Sequence, residues 1–124
     1  MNDQLFLDVS GLIKSQIRQR DKDNTKICVA NLLMFAYEKG LLYDNPFDNE
    51  GNLIISTIIR ESSLTEVGKH LFLELLLKWM AYTDNENGNI DRKNNIKMLE
   101  KYYNQLFQKI NVENRLLTNN KPTE

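Results

Sequence analysis

Apolar positions recur along most of this chain at intervals of three and four residues, the spacing that lines one face of a helix. Over residues 3–20, Leu5, Val9, Leu12, Ile13 and Ile17 make one stripe with Lys14, Arg18 and Gln19 off it, which predicts an amphipathic helix. Arg20-Asp21-Lys22-Asp23-Asn24 reads as a loop. Thr25 or Asp23 then caps a second helix built on Ile27, Cys28, Leu32, Leu33, Phe35 and Ala36, and Gly40 stops it. Residues 41–52 hold the turn-forming groups Asp44-Asn45-Pro46 and Asp48-Asn49-Glu50-Gly51 and are expected to be a loop.

Residues 53–59, Leu53-Ile54-Ile55-Ser56-Thr57-Ile58-Ile59, are ambiguous between a helix and a short strand. Their β-branched density favours a strand, while apolar pairs four residues apart favour a helix. With no second β-rich run to pair with, the helix is the preferred reading. Ser63 with Glu66 three residues on matches a capping box, with Thr65 as an alternative cap. The helix that follows, residues 66–82, carries Val67, Leu71, Phe72, Leu75, Leu76, Trp79 and Met80, widened by Leu73 and Leu77, and is expected to be central. Residues 83–89 end it. A last helix over residues 91–111 carries Ile96, Leu99, Tyr103, Leu106, Phe107 and Ile110. The expected fold is mainly α: a compact bundle of four to five helices, one domain over residues 1–117, and a flexible polar tail over 118–124 containing Pro122.

Composition narrows the function. The 124 residues are 41% hydrophobic, enough for a core, and the formal net charge is −1. So even a balance argues against a dedicated nucleic-acid binder, because such affinity rests on a basic face. Cys28 is the single cysteine, so no intrachain disulfide framework exists. The polar start Met1-Asn2-Asp3-Gln4 has no signal-peptide pattern. The densest apolar stretch, residues 71–80, is about half of a membrane span. A cytoplasmic protein with no membrane partner is expected. Abundant Asn, Lys and Ile fit an AT-rich coding sequence.

Candidate chemistry is sparse. Residues 84–91, Asp84-Asn85-Glu86-Asn87-Gly88-Asn89-Ile90-Asp91, resemble a calcium loop, but with Gly88 at the sixth position the first and twelfth fall on Thr83 and Asn94. Both anchoring carboxylates are then missing, and a polar turn is the better reading. His70, the one histidine, has no Cys/His cluster around it and is expected to be a partly buried, hydrogen-bonded side chain rather than a ligand or base. Ser62, Ser63, Cys28 and His70 could be imagined as a nucleophile and base, yet no local nucleophile signature accompanies them. The glycines at 11, 40, 51, 68 and 88 form no phosphate-binding loop. Two acidic groups, Asp44, Asp48, Glu50 and Asp84, Glu86, Asp91, sit in Asn- and Gly-rich loops, where carboxylates are usually solvated. Trp79, Tyr82, Tyr102, Tyr103 and Phe107 read first as core. No enzyme activity, metal or cofactor is expected.

Two resemblances bear on function. Ser63-Leu64-Thr65-Glu66-Val67-Gly68-Lys69-His70-Leu71-Phe72 resembles the junction between wing and helix in winged-helix transcription regulators. That family implies a dimerising helix and a basic recognition helix upstream, whereas residues 27–39 are mostly apolar. Over more of the chain, the same segment with Lys78-Trp79, Tyr82-Thr83-Asp84 and Asn95-Ile96-Lys97-Met98-Leu99-Glu100-Lys101-Tyr102-Tyr103-Asn104-Gln105-Leu106 is similar to small bacterial immunity proteins, including those of contact-dependent inhibition. That resemblance implies a non-catalytic protein that binds and neutralises a cognate toxin domain. The expected contact residues are Asp44, Asp48, Glu50, Asp84, Glu86 and Asp91, because carboxylates on loops suit a basic partner surface.

Overall fold

Residues 3–84 and 91–119 are described by the computed structural model, in which four helices dominate and two short strands pair. The first of the expected helices divides. Strand β1, Leu5–Asp8, runs into a short helix α1, Val9–Lys14. Leu7 and Val9 are buried, while the Asp8 carboxylate accepts a hydrogen bond from the Gly11 N–H at 3.1 Å and caps α1. Ile17, assigned by spacing to the apolar stripe, lies beyond α1 in a turn and is fully exposed.

Helix α2, Gln19–Glu38, begins five residues before the earliest position assigned from sequence, so Arg20 to Asn24 are helical and not a loop. Charged residues are competent helix formers, and Gln19 donates to Asp23 one turn on at 3.0 Å. Its end follows expectation. Gly40 has φ 74°, and the N–H groups of Gly40 and Leu41 reach back to the carbonyls of Tyr37 and Ala36. This crossed pair is a Schellman ending, which needs a left-handed residue at that position.

The preferred helical reading of residues 53–59 is overturned. Strand β2, Ile58–Arg60, pairs antiparallel with β1, placing Leu7 opposite Ile59 and Asp8 opposite Ile58, with an irregularity between Leu5 and Leu7. The missing ladder partner was concealed in the first segment. Leu53 instead bridges to Phe47 across the loop. After a single 3-10 turn, Glu61–Ser63, helix α3 runs over Glu66–Asp84. Its cap is Thr65: the hydroxyl accepts from the Gly68 N–H at 3.1 Å and donates to the Gly40 carbonyl at 2.6 Å. Ser63 takes the Arg60 N–H instead, at 3.0 Å.

Leu71, Phe72, Leu75, Leu76 and Trp79 of α3 are buried, whereas Val67, Leu73 and Leu77 face outward. Trp79 is fully enclosed and its indole N–H donates to the Cys28 carbonyl at 3.0 Å, so the largest core side chain also ties α3 to α2. Helix α4, Ile96–Asn119, starts later and ends later than the spacing predicts, and takes in the first two residues of the expected tail. Leu99 and Leu106 seat it, with Tyr102, Tyr103 and Ile110 partly buried beside them. The buried residues of all these elements form one cluster.

Candidate functional site

The first acidic group lies on a loop that braces itself. One Asp48 carboxylate oxygen accepts from the N–H groups of Glu50 and Asn52, each at 2.9 Å, and the Asp48 N–H donates to the Asn52 carbonyl at 2.9 Å. The Asn45 side chain accepts from Phe47, and Ile54 N–H reaches the Pro46 carbonyl. Pro46 is buried and Phe47 packs on the core. Asp44 and Glu50 are therefore exposed on an ordered frame, while Asp48 holds the frame together. Asp48 is exposed as well, with one carboxylate oxygen taken up by these bonds.

The second group is less alike than its sequence suggests. Asp84 is exposed at the last turn of α3. Asp91 accepts from the Asn94 amide at 2.8 Å and pairs with Lys93 at 3.2 Å. The Asn94 hydrogen bond, then Lys93, holds its carboxyl below the usual Asp range. Glu86, and with it most of the calcium-like loop, lies outside the described residues.

Asp84 also borders a cleft of about 510 Å³, which the sequence did not reveal because it depends on the early start of α2. Arg20, Asp21 and Asn24 line one wall, Met80 and Thr83 the other, with Cys28 and Lys93 completing it. Cys28 is buried, with its sulfur 3.3 Å from the Thr83 hydroxyl oxygen and 3.8 Å from the Met80 sulfur. The serines of the imagined nucleophile set are engaged elsewhere, Ser63 with the Arg60 N–H. Ser62 donates both its N–H, at 2.8 Å, and its hydroxyl, at 2.5 Å, to Asp3. The His70 side chain is exposed and makes no hydrogen bond among the described residues, contrary to the partly buried, bonded side chain expected. Among the described residues no three His, Cys, Asp or Glu side chains are grouped to hold a metal.

The aromatics stitch the helices. Phe35 meets Tyr103 edge-on at 5.7 Å, Tyr103 stacks on Phe107, and Tyr82 links Trp79 to Tyr102. Lys39 lies over both Phe35 and Tyr103 and pairs with Glu100 at 3.3 Å, while Arg92 covers Tyr82 at 4.8 Å. On the outward side of α2, Ile27, Met34 and Tyr37 share an exposed face. No described helix is long and apolar enough to cross a membrane. Comparison of the chain with protein-family models, with curated proteins and with solved structures finds no match.

Proposed function

We propose that this is a non-catalytic binding protein of the immunity kind, acting in the cytoplasm to neutralise a cognate toxin domain. The observation that carries the reading is the self-braced loop bearing Asp44 and Glu50. Two solvated carboxylates on an ordered frame offer a basic partner an electrostatic target without an ordering cost at binding. The exposed apolar face of α2 adds a second surface of the type that protein partners cover. The alternative, a winged-helix regulator, would place cations on a recognition helix. The outward face of α2 presents Ile27, Met34 and Tyr37 there, which favours a protein partner over a duplex.

The test is affinity capture from nuclease-treated native lysate, run in parallel with wild type and with Asp44→Ala/Glu50→Ala. The reading expects one stoichiometric protein held by wild type, weakened about tenfold or more in the double variant, and toxic when expressed without this chain. Equal capture by both proteins would remove the loop from the interface. Recovery of nucleic acid alone, when nuclease is omitted, would overturn the reading.

A further inference from the structure

The turn between α1 and α2 carries Ile17 at 95% exposure, the highest of any large apolar side chain among the described residues. This is a held conformation. Ser15 N–H donates to the Gly11 carbonyl at 3.0 Å, Gln16 N–H to Ile13 at 3.1 Å, and the Ser15 hydroxyl to Leu12 at 2.6 Å. On the far side Lys22 N–H closes onto the Arg18 carbonyl at 3.0 Å. Both flanks of the turn are thus tied down while the isoleucine projects between them.

Lys14, Arg18 and Arg20 flank it along the chain with exposed side chains and Lys22 follows half-buried; none of the four is ion-paired among the described residues, and Arg20 also borders the cleft. The only acid within residues 14–22 is Asp21; Asp23, bonded by Gln19, follows directly after, and Asp84 lies across the cleft that Arg20 borders. In a chain of net charge −1, this is a local basic surface with an aliphatic tip.

We propose that this turn docks the protein on an anionic phospholipid surface. Cations near such a surface and an apolar side chain entering the headgroup boundary contribute together, and neither needs a spanning helix. A nucleic-acid backbone would use the four cations and leave Ile17 idle; a protein partner would need a socket for it, which a bilayer does not.

The experiment is co-sedimentation of the full chain with phosphatidylcholine vesicles, with and without phosphatidylserine, at low and raised salt. Binding should require phosphatidylserine and weaken with salt. Ile17→Ser should lower it several-fold with an unchanged melting temperature, since Ile17 packs on nothing. Arg18→Glu/Arg20→Glu should lower it at least about twenty-five-fold, taking about fivefold per cation. Asp44→Ala/Glu50→Ala should bind vesicles as wild type does, which separates this surface from the proposed toxin interface. Absence of phosphatidylserine-dependent sedimentation overturns the proposal. So does binding that ignores Ile17→Ser and is displaced by duplex DNA, which would make the turn a phosphate-backbone surface.

Discussion

At the scale of single residues, one hydroxyl and one missing side chain decide how α2 and α3 meet. Thr65 bonds the end of α2 through the Gly40 carbonyl and the start of α3 through the Gly68 N–H. Gly68 then lies so close to the chain after α2 that a Cβ there would overlap the Leu41 carbonyl oxygen. Backbone cannot step aside as a flexible side chain does. Gly68→Ala should therefore destabilise by about 1–3 kcal/mol, the range for overpacked cores, read as a lowered denaturation midpoint. A melt equal to wild type would mean the two helices separate easily. Residue chemistry of this kind was partly legible. The sequence offers Thr65 as one of two caps for α3 and Gly40 as the stop of α2. The tight approach at Gly68 was not legible, because it depends on which backbone segment arrives from 27 positions away in the chain.

At the scale of elements, periodicity located α2, α3 and α4 and misjudged the pieces that depend on a distant partner. The apolar positions of the first segment fit a helical stripe as well as an extended run, and only pairing with Ile58–Arg60 distinguishes them. That pairing has its own lock at Asp3. The carboxylate accepts from the hydroxyl and the N–H of Ser62, and those bonds, with a smaller contribution from Arg60, lower its pKa from the usual 3.8. Because the folded value is depressed, the stabilisation is fully present above the unfolded pKa and fades as pH falls through the folded one. Asp3→Asn should accordingly melt below wild type at neutral pH, with the gap closing below about pH 4. A gap that stays constant down to strongly acidic pH would show that charge on Asp3 plays no part.

At the scale of the molecule, the six acids expected to meet a partner differ in their local bonding. Asp44, Glu50 and Asp84 are exposed, Asp48 and Asp91 are held in local hydrogen bonds, and Glu86 lies outside the described residues. Composition could count these carboxylates but could not say which were already occupied. The cleft beside Asp84 and the basic turn at Ile17 are not legible in the sequence for a related reason: both arise where α2 begins, and Arg20-Asp21-Lys22-Asp23-Asn24 has the composition of a loop.

The loop bearing Asp44 and Glu50 is fastened at its base. Thr65 N–H donates to Leu41 and Tyr43 N–H to Ser63, so outgoing and returning strands of chain are tied together before the excursion starts. Beyond the clasp Pro46, Phe47 and Leu53 still pack inward, so a change of length is cheap only at the exposed tip over 48–52, where it costs the Asp48 hydrogen bonds and about 0.6 kcal/mol for each doubling of a flexible loop. Two glycines inserted after Asn49 should leave the melting temperature within a few degrees of wild type while abolishing tight partner capture; a collapse of the fold would show that the clasp does not insulate the core. The practical meaning is evolutionary. If the loop is the recognition segment proposed above, its exposed tip can be rewritten between lineages without renegotiating the helices beneath it, as a lock is rekeyed without rehanging the door.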